Sequence, residues 1–180
     1  MTTAAVALGA NLGEPAGAFR GALASLAAQD GIDVVAVSSL WRSAPWGRED
    51  QPEFLNGVAL LSTSLSPRAL LDVLLREEER AGRVRDVRWG PRPLDLDLLF
   101  HGTAMLERPD LTLPHPRLAE RSFVLEPLAE VAPDWRHPGS GRSAVELRDE
   151  LRRSSAWTAC TRLEGTRLDA GAALEPACPR

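Results

Sequence analysis

Asp95 and Asp97, in the run Leu94-Asp95-Leu96-Asp97-Leu98-Leu99, are the residues of this chain best placed to do chemistry. Alternate side chains of a strand point to opposite faces, so the two acids share one face and the leucines between them share the other. Neighbouring carboxylates on one sheet face repel each other. A divalent cation relieves that repulsion, and Mg2+ prefers hard oxygen ligands. Directly upstream lies Arg88-Trp89-Gly90-Pro91-Arg92, a Gly/Pro loop carrying two arginines. A guanidinium pairs bidentately with phosphate oxygens. The segment therefore points to Mg2+ with a polyphosphate, most simply a nucleoside triphosphate. A solvated acidic face is the plainer reading of Asp-x-Asp alone; the arginine-bearing lead-in favours the metal.

The rest of the chain must supply the frame for that strand. Val6 to Gly9 is apolar and ends in the turn-rich Gly9-Ala10-Asn11-Leu12-Gly13. Residues 16–28 have helical spacing at Phe19, Leu23 and Leu26. Residues 32–41 and 54–64 read as strands joined by a long loop over 43–52, and long loops are often functional. Ser66-Pro67 starts a helix with a side-chain cap and proline at the first position, and Gly82 stops it. Residues 83–93 form a second polar loop, followed by the acidic strand at 94–100. An extended stretch at 109–116 and a helix at 123–131 come next. Ser143 to Glu146 fits a capping box opening a helix to about residue 153. Residues 157–163 read as a last strand. The order strand, helix, strand, strand, helix, strand predicts an α+β, ferredoxin-like antiparallel sheet with helices on both faces, a three-layer αβα arrangement. One domain is expected over residues 1–164, with a flexible tail over 165–180.

The 180 residues, 44% hydrophobic and 26% charged, suit a single globular domain. A net charge of -4 argues against a nucleic-acid binder, which normally carries a basic excess. No lysine occurs, so a phosphate clamp must be built from arginine and histidine. The apolar N-terminal run is too short for a membrane span and lacks a basic leader. Cys160 and Cys178 form no disulfide framework and read as free thiols of a reducing compartment, so a cytoplasmic location is expected.

Four segments, Leu8 to Gly13, Asp50 to Asn56, Arg88 to Leu99, and Leu113-Pro114-His115 with Arg121-Ser122-Phe123, occur in the order and spacing of one family. Across residues 4 to 160 the chain resembles 6-hydroxymethyl-7,8-dihydropterin pyrophosphokinase of folate biosynthesis. The resemblance implies transfer of pyrophosphate from ATP to a pterin alcohol, with two Mg2+ ions and AMP as the second product. It implies small-molecule substrates, a monomer, and neither nucleic-acid nor membrane partners.

Carried over position by position, the resemblance makes Asp95 and Asp97 metal ligands. Arg83 and Arg92 become triphosphate contacts within the catalytic set. His115 and Arg121 become further phosphate contacts, and Glu78 an acid near the nucleotide. Trp89 either closes over the nucleotide or anchors its loop. Phe54 and Phe123 match the two rings that sandwich the pterin, and Asn56 the amide at its edge. Ser43, Ala44, Pro45 and Trp46 match the loop lining that pocket. Plain core packing is the alternative for the two phenylalanines, and a structural hydrogen bond for His115. The chain departs from the family at Phe54, where tyrosine is usual, and at Asp86 and Asp110, where basic residues are expected near the phosphates.

Transfer of this kind needs mainly positioning and charge neutralisation. The loops at 43–52 and 83–93 are expected to close over the reactants and exclude water. A non-catalytic module of the same fold, binding pterin or nucleotide, is the competing reading. A Walker-type kinase is excluded, because its loop requires lysine.

Overall fold

Residues 4, 6, 8 and 10 of the first strand are fully buried on one face, while Ala5 and Ala7 turn to the other. That alternation sets two cores on either side of one sheet. A computed structural model describes residues 1–45, 50–83 and 90–167, with side chains described through Glu164 in the last strand. The elements in chain order are β1 (Thr2–Ala10), α1 (Pro15–Ala27), β2 (Ile32–Val37), β3 (Ser39–Ser43), β4 (Phe54–Thr63), α2 (Pro67–Arg80), β5 (Asp95–His101), β6 (Leu106–Arg108), β7 (Leu111–Leu113), α3 (Ser122–Val131), α4 (Ala144–Arg152) and β8 (Cys160–Arg167). A short 3-10 turn at Leu118–Glu120 precedes α3.

The main sheet is antiparallel in the order β5-β1-β4-β3-β8, with β2 also paired to β4. This is the expected ferredoxin-like sheet. Phe19, Leu23 and Leu26 of α1 and Leu70, Val73 and Leu74 of α2 pack on Val6, Leu8, Leu96 and Leu98. Val124, Leu125 and Leu128 of α3, with Leu147 and Leu151 of α4, cover Ala5, Val58, Leu60 and Leu99 on the opposite face. The three layers are therefore α1/α2, sheet, and α3/α4.

Local chemistry accounts for most boundaries. Pro67 follows Ser66, whose Oγ accepts from the Ala69 amide at 3.3 Å. Gly82 ends α2 with φ of 81°, a conformation glycine adopts without a Cβ clash. The capping box of α4 is present, with both reciprocal bonds between Ser143 and Glu146.

Three boundaries differ from expectation. The run 32–41 is two strands, β2 and β3, broken at Ser38. There the Ser38 hydroxyl, not a backbone carbonyl, accepts the Val58 amide at 3.0 Å, and the ladder is interrupted. The stretch 109–116 is not simply extended: its β7 pairs with β6 in a small hairpin whose Leu111 and Leu113 close the α1/α2 core. The last strand is Cys160–Arg167 rather than the expected 157–163, so it also runs past the expected domain edge at 164. The remainder of the expected tail, 168–180, lies outside the described residues. Cys160 is a free thiol; burial and the nearby Glu126 carboxylate push it up to about 11, so it is a poor nucleophile. No helix among the described residues is long and apolar enough to cross a membrane.

Candidate active site

The α3/α4 layer stops short of one end of the sheet and leaves a cavity of about 240 Å³ there. Its floor is made of small residues on β1, Ala7 and Gly9. Gly9 pairs with Asp95 of β5 on one side and Asn56 of β4 on the other, so the three lie in one line across the sheet. Ala7 pairs likewise with Asp97 and Val58. Period-2 alternation thus brings both carboxylates into the cavity while Leu94, Leu96 and Leu98 stay in the α1/α2 core.

Three arginines meet these acids. The stop of α2 at Gly82 turns the chain so that the Arg83 amide donates to the Glu78 carbonyl at 3.0 Å. The Arg83 guanidinium then reaches both Glu78 and Asp95. Arg92 Nη1 donates to Asp95 Oδ2 at 2.5 Å, and Arg121 Nη1 to Asp97 Oδ2 at 3.3 Å. Asp97 is the more open of the two acids, with 37% of its side chain exposed against 20% for Asp95.

His115 is oriented by its backbone. Its amide donates to the Leu99 carbonyl at 2.8 Å, and its Nδ1 accepts the Arg117 amide at 3.1 Å. In the neutral ring the proton is then on Nε2, which lies 3.9 Å from Asp97 Oδ2. Burial pushes the His115 pKa down; Asp97 opposes that shift, and Arg121 and Arg117 add to it. The imidazole is thereby favoured in its neutral form. Burial likewise lowers the Arg121 pKa from its ordinary value, partly countered by Asp97.

Two rings line the cavity. Phe54 lies at the start of β4 and Phe123 in the first turn of α3. Each has a guanidinium near it: Arg92 lies 5.9 Å from the Phe54 centroid and Arg121 5.7 Å from that of Phe123. Asn56 is 4% exposed, and its amide nitrogen donates to Ser43 Oγ at 3.0 Å and to the Trp41 and Phe54 carbonyls at 3.3 and 3.4 Å. That leaves Oδ1 directed to the floor beside Gly9. The donor side of the amide is committed within the protein, so its free chemistry in the cavity is acceptance.

The structure gathers Ser43, Ala44, Phe54, Asn56, Arg83, Arg92, Asp95, Asp97, His115, Arg121 and Phe123 around one cavity. Glu78 stands behind it instead: 2% exposed, it accepts the Leu96 amide at 2.8 Å and holds Arg83 from the rear. Pro45 adjoins the lining without being part of it. Trp46, Trp89 and Asp86 lie outside the described residues. Asp110 is not beside the cavity residues; it sits in the turn between β6 and β7 and pairs with Arg68 on the first turn of α2. Ala7 and Gly9 of the lining, and Asn11 beside it, are not among the candidate site residues of the sequence, although Gly9 and Asn11 fall in the Leu8 to Gly13 segment; none carries a charge or an obvious reactive group.

The geometry defines an α+β protein whose site joins a cluster of arginines and a half-buried carboxylate pair to two phenylalanine rings. A family model described as 7,8-dihydro-6-hydroxymethylpterin-pyrophosphokinase matches residues 5–133. A 2-amino-4-hydroxy-6-hydroxymethyldihydropteridine pyrophosphokinase of Synechocystis sp. is 44% identical over 173 residues, covering 96% of this chain and 86% of that protein. Another, from Pseudomonas aeruginosa, is 51% identical over 142 residues, covering 79% and 87%. The chain therefore belongs to the 7,8-dihydro-6-hydroxymethylpterin-pyrophosphokinase family. Among solved structures, wild-type Plasmodium falciparum HPPK-DHPS with pteroate matches with a TM-score of 0.67 over 83% of this chain and 42% of its own; at 14% identity it supports the fold alone.

Proposed function

We propose that this chain transfers pyrophosphate from ATP to the hydroxymethyl group of 6-hydroxymethyl-7,8-dihydropterin, giving the pterin diphosphate and AMP. The observation that carries the reading is the line Asp95–Gly9–Asn56, which sets a carboxylate and an amide on either side of a bare floor. Membership in a pyrophosphokinase family supports it.

The donor set fits a divalent cation. Asp95 and Asp97 are hard oxygen ligands on one strand face, both open to the cavity. Arg83, Arg92 and Arg121 are balanced by Glu78, Asp95 and Asp97. A triphosphate would thus bring negative charge to arginines whose own charge is already matched by carboxylates, leaving an excess that divalent cations would offset. Asp95 and Asp97 would hold two Mg2+ ions, which when bound supply the charge neutralisation of the transferring group.

The chain's own groups do the rest. Arg83, Arg92 and Arg121 exchange carboxylate partners for phosphate oxygens, which their guanidinium forks can take bidentately. His115 donates Nε2–H to the same oxygens without adding a full charge. Phe54 and Phe123 take the flat ring between them, and Asn56 Oδ1 accepts a hydrogen bond from its edge. The hydroxymethyl oxygen is thereby presented in line with the β-phosphorus, the positioning on which this class of transfer depends. A monomer acting in the cytoplasm completes the proposal.

Nucleotide product analysis with ATP, Mg2+ and the pterin tests it. Pterin-dependent AMP without ADP is expected. ADP would mean attack at the γ-phosphorus and a wrong reaction. Tight ATP binding with no product would favour the non-catalytic module.

A further inference from the structure

Asn11, in the turn between β1 and α1, is 6% exposed, and both ends of its carboxamide are engaged. Its Nδ2 donates to Gln51 Oε1 and to the Pro52 carbonyl, each at 3.1 Å. Its Oδ1 accepts the Arg92 amide at 2.8 Å, and its own amide donates to the Arg92 carbonyl at 3.1 Å. One side chain thus ties segments that lie 40 and 81 residues away. Each enters the cavity directly afterwards. Pro52 is two residues before Phe54, a wall of the aromatic slot, and Arg92 carries the guanidinium that holds Asp95.

We propose that Asn11 is a positioning residue that sets the arginine-carboxylate end of the cavity relative to its aromatic slot. Resting on the proposed reaction, this means that Asn11 fixes the phosphate donor against its acceptor. It touches neither reactant and acts through Arg92 and Phe54. The residue type is demanding. A planar head with two donor hydrogens on one side and an acceptor on the other meets all three partners at once. Aspartate keeps the acceptor and loses the donors; alanine loses both. A misplacement of about 1 Å between reacting groups can cost on the order of 10²-fold in rate, so a tie of this kind is felt in catalysis.

The test compares the full chain with Asn11→Ala and Asn11→Asp. Steady-state kinetics, thermal melting and amide exchange at Gln51, Glu53 and Arg92 are measured on each. Asn11→Ala is expected to speed exchange at all three amides and to lower kcat by about 30-fold. Asn11→Asp is expected to leave the Arg92 amide protected while the Gln51 and Glu53 amides exchange faster. Its pterin KM should rise about tenfold and its nucleotide KM less than threefold, a split that simple loss of stability does not produce. Folded variants with kcat and both KM values within twofold of the parent would overturn the proposal, as would equal rises in both KM values for Asn11→Asp. If Asn11→Ala does not fold, Asn11→Asp decides alone. Should the parent chain yield no pterin-dependent AMP, the reaction is wrong. Amide exchange and the affinity for a non-hydrolysable ATP analogue then decide the tie: unchanged values in Asn11→Asp overturn it, and faster exchange at Gln51 and Glu53 alone upholds it.

Discussion

Gly9 and Asp95 face each other across one rung of the sheet, and a Cβ built on Gly9 would lie 3.7 Å from the Cβ of Asp95. Among the described residues its only other near neighbour is Asn56 Oδ1 at 3.9 Å. These are ordinary contact distances, so no backbone strain or clash demands glycine here. What the missing side chain provides is space between the carboxylate and the amide.

That space can be filled. Gly9→Val puts a branched side chain into the floor at a strand position where such residues are favoured. Replacing glycine in a strand also removes a cost of roughly 0.5–1 kcal/mol. The variant is expected to melt within a few degrees of the parent while kcat/KM for the pterin falls by at least ~100-fold, the scale of a misplaced reactant. Melting curves and pterin kinetics on the same preparation check this. Normal turnover in Gly9→Val would place the substrate elsewhere.

Asp97 is the more exposed carboxylate and has one guanidinium at 3.3 Å, so its contribution to stability is at most about 1 kcal/mol. Its value lies in what it can bind. Asp97→Asn is expected to fold normally, lose turnover by about 10²-fold or more, and weaken Mn2+ binding in the presence of an ATP analogue. Electron paramagnetic resonance of the bound Mn2+ reads the last effect without any catalysis. A folded variant that binds Mn2+ as tightly as the parent dismisses Asp97 as a ligand.

Much of this site was legible because period-2 alternation is local: Asp95 and Asp97 announce a shared face within three residues of sequence. The helix stop at Gly82, which delivers Arg83 to Asp95, was legible for the same reason. Asn11 was not, because its meaning lies in partners 40 and 81 residues distant. The break between β2 and β3 was hidden as well. It depends on the Ser38 hydroxyl replacing a ladder carbonyl, and serine elsewhere in a Val-rich run gives no such sign. Glu78 shows the opposite limit. The resemblance makes it an acid near the nucleotide, whereas here it is buried, accepts the Leu96 amide and holds Arg83 from behind.

Glu78 therefore has a distinct expected phenotype. Its side chain is 3% exposed and that of its partner Arg83 16%. Removing one member of a fully buried pair costs about 3–5 kcal/mol when the other is left uncompensated; Arg83 keeps Asp95, so the low end applies here. Glu78→Ala also orphans the Leu96 amide, so a loss of about 3 kcal/mol is expected by urea unfolding. Glu78→Gln retains an acceptor for Leu96 and should lose about half as much. Equal losses in both variants would show that the amide bond contributes nothing.

Glu130 makes a prediction outside the cavity lining. Its carboxylate accepts the Ser39 amide at 3.0 Å, the Ser39 hydroxyl at 2.7 Å and Trp41 Nε1–H at 3.3 Å, with Arg162 of β8 at 3.2 Å. Burial by itself would raise its pKa. The bonds from Ser39 and Trp41 and the charge of Arg162 more than offset this and hold it below the ordinary 4.5. The folded state then binds fewer protons than the unfolded one in the acid range. The stabilisation is complete above the unfolded pKa and is lost as pH falls through the depressed folded value. Glu130→Gln should accordingly be less stable than the parent at pH 7, with the gap narrowing as the solution is taken down to about pH 3. Unfolding curves at a series of pH values measure it. A gap that stays constant across that range would mean that Glu130 titrates alike in the folded and unfolded states and that the bonds from Ser39, Trp41 and Arg162 do not favour its charged form.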